Sequence, residues 1–98
     1  MKSDPIKFGW FQTLDEAQMN SHISSLGQAL LNADNGQAVH WEKNSAWGLT
    51  RVLYTDSNSQ GYCRTVYIQV NAFNKTKEDV HLYCYDNPSE SWFQRERR

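Results

Sequence analysis

The feature that most constrains this fold is a change in hydrophobic periodicity at Asn35 and Gly36. Apolar residues before this point recur at spacings of four, three and four, as on one stripe of a helix: Met19, Ile23, Leu26 and Leu30. Beyond Gly36 apolar and polar residues alternate instead, which is typical of β-strands. Asn and Gly tolerate the positive φ angles that end helices and turn chains. The sequence therefore predicts one helix followed by a sheet.

The helix is predicted to span residues 13–33. The sequence TLDE has the spacing of a capping box, in which Thr13 accepts from the amide of Glu16 and Glu16 reaches back to the amide of Thr13. Residues 1–12 combine a proline, a glycine and a cluster of aromatic residues that includes Trp10. We interpret them as an irregular arm whose aromatic side chains pack on the body of the protein, with a binding patch as the alternative.

Four strand-like segments occupy residues 37–86, joined by short polar loops: QAVHWE, WGLTRVLYT, YCRTVYIQV and EDVHLYCY. In the first segment, alternation places Val39 and Trp41 on one face and His40 and Glu42 on the other. Successive strands joined by short loops favour an antiparallel meander. We therefore expect an α+β fold in which one N-terminal helix packs on a four-stranded antiparallel meander sheet.

A chain of 98 residues is expected to form one domain, here residues 1–98. Residues 87–98 are predicted to be a tail in which Trp92 and Phe93 cover a sheet edge, followed by a solvated charged run. The domain would thus consist of an arm, a helix, a sheet and a tail.

Charge and hydropathy argue against several functional classes. The net charge is −1 and the two signs are interspersed, so the chain lacks the strong field that attracts nucleic acid or anionic lipid. The apolar runs are too short to span a bilayer. We expect no nucleic-acid partner, no membrane span in this chain and no cofactor. The carboxylates show no paired arrangement suited to acid/base catalysis, so we expect a protein that is not an enzyme.

The two cysteines lie in the last two predicted strands. If the hairpin pairs symmetrically about its midpoint, Cys63 lies opposite Cys84, close enough for a cross-strand disulfide at a non-hydrogen-bonded position. The hydrophobic pattern favours a register shifted by one, because it would place Val66 and Ile68 on the same face as Val80. A β-bulge would reconcile the two, and the sequence leaves the register of residues 61–86 open.

Three other interpretations compete with a disulfide. A zinc site needs about four ligands, and two isolated cysteines with scattered histidines lack the paired spacing of zinc motifs, so we expect no metal. A nucleophilic pair of Cys63 with His81 would need an oxyanion site and a cleft, of which the sequence gives no sign. Two free buried thiols in a cytosolic protein are the remaining alternative. We favour the disulfide, which would close a loop of about 20 residues in an oxidising compartment.

The order of elements over residues 28–92 resembles the C-terminal domain of the seventeen-kilodalton surface-antigen family of proteobacterial outer-membrane lipoproteins. The resemblance is carried by five stretches in succession: QALLNADNGQAVHWE, SAWGLTRVLYT, GYCRTVYIQV, HLYCYD and ESW. The chain departs from the family where Tyr85 follows the second cysteine and where Ser91 precedes the closing tryptophan. It also lacks the lipoprotein signal, the acylated cysteine and the glycine-zipper hairpin that usually precede the domain.

The resemblance implies a noncatalytic module of the bacterial cell envelope that faces the periplasm or the surface, with Cys63 and Cys84 bridged. The N-terminus has no apolar stretch typical of an export signal, so this location requires a signal that is absent from the sequence. Without one, the expected location is the cytoplasm. The implied partner is another protein of the envelope, bound through the exposed sheet face or edge. The alternative function is a small inhibitor or immunity-type protein that binds and blocks an enzyme.

Aromatic residues and one arginine are the candidate interaction residues: Trp10, Trp41, Trp47, Arg64 and Trp92. Aromatic side chains with a polar group provide rigid anchors at protein interfaces. Arg64 lies within an apolar strand, where we interpret it either as a side chain that extends along the surface to reach water or as an ion pair with Glu78 or Asp79. Its alternative role is to anchor a carboxylate of the partner. Packing in the core is the competing interpretation for most of the aromatic residues.

Overall fold

The computed structural model describes residues 14–58, 61–86 and 88–95. The described residues form one helix and five strands, in the order α1 (Glu16–Asn32), β1 (Ala38–Lys43), β2 (Ala46–Asn58), β3 (Gly61–Ala72), β4 (Lys75–Asp86) and β5 (Ser91–Arg95). The strands form one antiparallel sheet in chain order, with β1 and β5 at its two edges. Helix α1 packs mainly on β1 and β2. The α+β fold and the antiparallel meander are confirmed.

The prediction of four strands is wrong, because part of the predicted tail forms β5. This strand pairs with β4, with Trp92 opposite Tyr85 and Phe93 opposite Cys84. The outer edge of β4 offers backbone donors and acceptors to any extended segment that reaches it. The segment that follows Pro88 does so after a short turn. Trp92 and Phe93 therefore extend the sheet instead of covering its edge.

The helix begins at a different cap from the one predicted. Asp15 is the N-cap, and its Oδ1 accepts from the backbone N–H of Gln18 at 2.7 Å. The Oε1 of Gln18 accepts in return from the backbone N–H of Asp15 at 2.8 Å, which completes the capping box. The amide group of Gln18 also donates to the carbonyls of Lys43 and Asn44, a contact that Glu16 could not make because a carboxylate only accepts. Thr13 lies outside the described residues.

The buried stripe of α1 is shifted by one residue from the predicted one. Leu26 and Leu30 are buried as expected, but Ile23 is 40% exposed. The stripe also contains small and polar residues, all buried: Gln18, His22, Ser25, Ala29 and Ala33. The hydroxyl of Ser25 donates to the carbonyl of Val39 at 2.9 Å, and the ring of His22 lies edge-on to that of Trp41. Gln18 and Ser25 can occupy this stripe because β1 and the turn after it supply acceptors for their donors.

A two-residue turn sets the register between β3 and β4. Phe73 and Asn74 have φ angles of 55° and 61°. Two successive positive φ values are typical of a type I′ turn, whose flanking residues form a hydrogen-bonded pair. Alternation from that pair along β3 makes Cys63 a non-hydrogen-bonded position, directly opposite Cys84. The symmetric register is therefore the observed one.

The hydrophobic pattern of β4 favoured the wrong register. Val66 and Ile68 face the helix and are fully buried, while their partners across β4 are His81 and Asp79. Val80 and Leu82 point to the opposite side, which we call the open face because α1 does not cover it. Both are only partly buried there. The one register shift lies between β2 and β3, at Val52 and Tyr54, and not in the hairpin where the bulge was expected.

The core lies between α1 and the sheet. Its buried apolar side chains come from α1, from the residues that flank it and from the first four strands: Leu14, Leu26, Ala29, Leu30, Ala33, Trp41, Ala46, Val52, Val66, Ile68, Val70 and Tyr83. No helix among the described residues is long and apolar enough to cross a membrane. Among the described elements, none covers the open face of the sheet or the β1 edge.

Candidate functional site at the β1 edge

The candidate tryptophans lie in different environments. Trp10 lies outside the described residues. Trp41 is only 8% exposed and belongs to the core, whereas Trp47 is 44% exposed on the open face. Trp92 is half-buried near the opposite edge of the sheet, where its ring contacts those of Tyr62 and Tyr85. Trp41, in β1, and Trp47, in β2, therefore lie near the same edge of the sheet, whereas Trp92 lies near the other edge.

Arg64 is not a surface residue, and its predicted pairing with Glu78 or Asp79 is wrong. Its side chain is 6% exposed and reaches the C-terminal end of α1. There Nη1 donates to the carbonyls of Ala29 and Leu30 at 3.0 Å.

The remaining donors of Arg64 are also engaged. Nη2 donates to the carbonyl of Ala33 at 2.6 Å, and Nε donates to the hydroxyl of Thr55 at 3.0 Å. A cation is favourable at this position because it faces the negative end of the helix dipole. The last turn of α1 has no basic residue of its own. Arg64 therefore caps the helix from the sheet, and its guanidinium is not available to a partner's carboxylate.

A close approach between Trp41 and Gly48 fixes the position of β1. The two residues are opposite each other in the register of β1 and β2. A Cβ atom added at Gly48 would lie 2.7 Å from Nε1 of Trp41 and 2.5 Å from the carbonyl oxygen of Gln69. Because any larger residue would clash with backbone, only glycine allows the indole of Trp41 to lie against β2. This contact anchors the edge strand to the sheet.

A polar cleft of about 420 Å³ runs between α1 and β1, and we call it the edge groove. Its helix wall consists of hydroxyl and amide side chains: Asn20, Ser21, Ser24, Ser25 and Gln28. Its strand wall consists of Val39, His40, Trp41 and Glu42. Asn20, Ser24 and Gln28 recur every four residues, so they lie along one face of α1. This face adjoins the buried stripe that contains Ser25. The groove thus has a rim of hydrogen-bonding groups and is not apolar.

A second cavity of about 490 Å³ adjoins the same strand and is lined by His40, Trp41, Glu42 and Trp47. Glu42 lies directly opposite Trp47 in the register of β1 and β2, so both side chains are on the open face. We call this space the open-face cavity. Since the edge groove is bounded by α1 and this cavity by Trp47 on the open face, the two spaces lie on either side of β1, whose His40, Trp41 and Glu42 line both.

The backbone of β1 alternates between the sheet and the edge. Asn44 and Ser45 have φ angles of 51° and 70°, so they form a type I′ turn with Lys43 and Ala46 as its hydrogen-bonded flanking pair. Alternation from that pair directs the peptide groups of Lys43, Trp41 and Val39 toward β2, and those of Glu42, His40 and Ala38 outward. The carbonyl of Gln37, on the same side as that of Val39, accepts from the N–H of Val52 at 3.0 Å, as this alternation requires.

The predicted disulfide between Cys63 and Cys84 is present, with the two Cα atoms 4.0 Å apart. It lies on the open face near the end of the sheet opposite the β1–β2 turn. Nη1 of Arg95, from β5, lies 3.4 Å from Sγ of Cys84 and 3.8 Å from Sγ of Cys63. Both cysteines are consumed by the bond, so Cys63 is not a free nucleophile beside His81. The described residues contain no cluster of acidic, histidine or cysteine side chains that could hold a metal ion.

Polar side chains connect β3 and β4 across the open face. The hydroxyl of Tyr67 donates to Glu78 and accepts from Nε2 of Gln69 at 2.7 Å, and Gln69 accepts from Asn71 at 3.0 Å. The hydrogen bond to Glu78 raises the pKa of Tyr67 above its ordinary value, because ionised Tyr67 could no longer donate. The open face near the β3–β4 turn is therefore polar, in contrast to the exposed indole of Trp47 near β1.

No family model matches this chain, and it has no match among curated proteins or solved structures. Trp41 and Trp47 were predicted as interaction residues from composition, and the structure places both at the cavities that flank β1. The sequence-based prediction missed His40, Glu42 and the helix wall of the edge groove. The recurrence of Asn20, Ser24 and Gln28 every four residues indicated a polar face on the helix. Such a face is typical of any solvent-exposed helix, so the recurrence alone could not predict that a strand edge lies beside it.

Proposed function

We propose that this chain is a noncatalytic protein-interaction module of the bacterial cell envelope, facing the periplasm or the cell surface. The observation that carries the proposal is the disulfide between Cys63 and Cys84. Disulfides persist in exported proteins and are rare in a reducing cytoplasm. A bridge closing a loop of this length stabilises a small domain by about 3 kcal/mol. The resemblance to the surface-antigen family supports the same compartment.

The exposed aromatic residues support a role in binding. Trp47 lies on the open face beside the charged side chain of Glu42, and no other element of the described chain covers it. A half-exposed indole beside a polar rim matches the composition of protein interfaces, where tryptophan is enriched. The partner we propose is another protein of the envelope.

The first experiment measures the thiols of the protein in its native host, expressed from the complete reading frame. Cells are quenched with acid, treated with a maleimide of high mass and fractionated. We expect no mass shift without reductant and recovery in the periplasmic or envelope fraction. A double Cys63→Ser, Cys84→Ser variant gives the unlabelled baseline. Recovery of the protein in the cytosolic fraction with two reactive thiols would overturn the proposed compartment.

The second experiment tests the interaction itself. A photo-crosslinking phenylalanine derivative replaces Trp47, and a second variant carries it at Ser57, which is exposed on the same strand far from β1. We expect a discrete envelope-protein adduct from position 47 and not from position 57. Absence of any adduct from either position, in cells where the protein is abundant, would contradict the interaction.

Phe73 favours one alternative function, that of a small inhibitor or immunity-type protein. It occupies the tip of the β3–β4 turn with 66% of its surface exposed. A rigid turn that presents an aromatic side chain is suited to entering the cleft of an enzyme. Placing the same crosslinker at Phe73 separates the two functions. An adduct with a soluble enzyme from position 73, and none from position 47, would favour the inhibitor.

A further inference from the structure

We propose that the β1 edge is a binding site for an extended peptide of a partner protein, which adds to the sheet as a sixth strand. This inference rests on the proposed function, since it specifies which surface of the interaction module is used and what it binds. The occupant is a segment of about five or six residues, because β1 spans Ala38–Lys43 and strands pair residue by residue.

The backbone of β1 supplies the first argument. The peptide groups of Ala38, His40 and Glu42 point away from β2, so they present donors and acceptors along the edge. Among the described residues, no hydrogen bond to these outward groups is made by another strand, since β1 is the terminal strand of the sheet. Edge strands in this state are templates for pairing with another chain. Main-chain pairing would give affinity that does not depend on the partner's sequence.

The two cavities supply the second argument. Successive side chains of a strand point to opposite faces of the sheet. A strand paired with β1 would therefore direct alternate side chains into the edge groove and into the open-face cavity, which lie on the two sides of β1. Both spaces are large enough for a side chain and share His40, Trp41 and Glu42 as their common wall. The edge thus has a place for each face of an incoming strand.

The charges of the two cavities determine the type of peptide. Among the described residues that line them, Glu42 is the one carboxylate, and no lysine or arginine is present. The side chain of Glu42 is exposed on the open face beside the indole of Trp47. A lysine or arginine of the peptide could pair with Glu42 and lie over the indole. The hydroxyl and amide groups of Ser24 and Gln28 favour a polar residue on the other face.

A second copy of this chain fits the edge less well. Pairing two β1 strands about a two-fold axis would place both α1 helices on the same side of the joined sheet. The two rows of Asn20, Ser24 and Gln28 would then approach each other, and each group would have to exchange its water for a well-aligned hydrogen bond across the interface, which offsets little of the cost of losing water. A single peptide strand leaves these groups accessible to water.

The test begins with a phage-displayed library of random ten-residue peptides, selected against the full chain with its disulfide intact. Dissociation constants of the enriched peptides are then measured for the wild type, His40→Pro and His40→Val. Proline removes the outward N–H of residue 40 without removing a hydrogen bond to β2, whereas valine keeps it. We expect binding to fall by about tenfold or more in His40→Pro and by less than about threefold in His40→Val.

A second measurement keeps the test decisive if His40→Pro does not fold, as judged by tryptophan emission and circular dichroism. Peptides N-methylated at single positions are measured against the wild type. We expect N-methylation to abolish binding at alternate positions only, because every second N–H faces β1. Equal tolerance of N-methylation at all positions would overturn strand addition.

Charge provides a further check. Glu42→Gln is expected to weaken the binding of peptides that carry lysine and to leave the binding of neutral peptides unchanged.

Sedimentation velocity tests the competing occupant. A wild-type dimer that His40→Pro converts to monomer would show that the edge binds a second copy of this chain. Peptides that bind the wild type and His40→Pro equally, but lose binding in Trp47→Ser, would reject the edge site while leaving the interaction module intact. Failure of the crosslinking and thiol experiments would instead reject the module.

Discussion

The two ends of α1 are capped in opposite ways. At the N-terminus, Asp15 and Gln18 exchange hydrogen bonds across three residues of sequence. At the C-terminus, the carbonyls of Ala29 and Ala33 are bound by Arg64, which is 35 and 31 residues away along the chain. The first cap needs only the helix and the residue before it, whereas the second needs β3 in its final place.

This difference couples the helix to the sheet. An isolated helix of this length is marginally stable in water, and a local cap adds only about 1 kcal/mol. The C-terminal carbonyls of α1 are satisfied when Arg64 is in place, and Arg64 is in place when β3 is paired. Cys63 immediately precedes Arg64 in β3, so the disulfide and the helix cap involve adjacent residues on opposite faces of the same strand. We expect α1 and the centre of the sheet to fold and unfold together.

Removing the non-local cap should have the largest effect. In Arg64→Met the side chain keeps a similar apolar stem, but three carbonyls at the C-terminal end of α1 lose a charged donor, and only that of Ala29 keeps a backbone N–H, from Ala33, among the bonds described, so we expect the free energy of unfolding to fall by about 3 kcal/mol. Chemical denaturation followed by circular dichroism measures this loss. Arg64→Lys keeps the charge but not the planar set of guanidinium donors, so its free energy of unfolding should lie between those of the wild type and Arg64→Met. A loss below about 1 kcal/mol in Arg64→Met would remove the contrast between the two ends.

Gln18→Glu separates the local and non-local functions of the N-terminal cap. A glutamate can still complete the capping box with Asp15, but its carboxylate would face the carbonyls of Lys43 and Asn44 without a donor. We expect a loss of about 2 kcal/mol at neutral pH, because a buried charge is left unpaired. Protonation restores one donor, so the difference from the wild type should narrow as the pH is lowered to about 4. A variant as stable as the wild type at neutral pH would show that the contact with the turn contributes little.

Removing the local cap should cost less. In Asp15→Ala the N–H of Gln18 loses its acceptor, and we expect a loss of about 1 kcal/mol in thermal or chemical unfolding. Asp15→Asn is the matched control, because asparagine is an equally good N-cap and should be near the wild type. A loss in Asp15→Ala as large as that in Arg64→Met would mean that the two ends contribute equally.

The smallest effect is expected at Thr55, which links the non-local cap to the turn after α1. Its hydroxyl accepts from Nε of Arg64 and donates to Oδ1 of Asn35 at 2.8 Å. Thr55 is partly exposed, so water can replace the lost bonds in Thr55→Val, and we expect a loss of about 0.5 kcal/mol. Double-mutant analysis with Arg64→Met should show non-additive losses. Additive losses would indicate that Thr55 does not support the cap.

What the sequence predicted follows the same division between local and distant contacts. The presence of one helix followed by an antiparallel sheet rests on patterns of neighbouring residues, and this prediction is confirmed, whereas the predicted cap and the number of strands were wrong. The buried stripe of α1 was predicted one residue off, because His22 and Ser25 are buried by contacts with β1 that no local pattern encodes. Arg64 was placed on the surface for the same reason, since its partners lie on a helix more than 30 residues earlier.

The sheet shows where hydrophobic patterning alone fails. The pattern of β4 favoured a register with Val80 on the face of Val66, but an antiparallel sheet with one open face leaves apolar side chains such as Val80 and Leu82 partly exposed on that face. The strand β5 was missed because its segment is short and follows a proline, and it became a strand only through the free edge of β4. The cavities at the β1 edge could not be predicted either, because one lies between α1 and β1 and the other between β1 and Trp47 of β2, and both depend on how these elements pack.

The contact between Trp41 and Gly48 has a consequence for how this protein can change over time. The indole of Trp41 and the carbonyl oxygen of Gln69 both occupy the space that a side chain at position 48 would need. Related sequences should therefore keep glycine at position 48 even where position 41 holds a smaller residue. The same pairing opposes sliding of the β1–β2 hairpin, because a shift of two residues would place the indole opposite Ala46 or Thr50 instead of opposite Gly48.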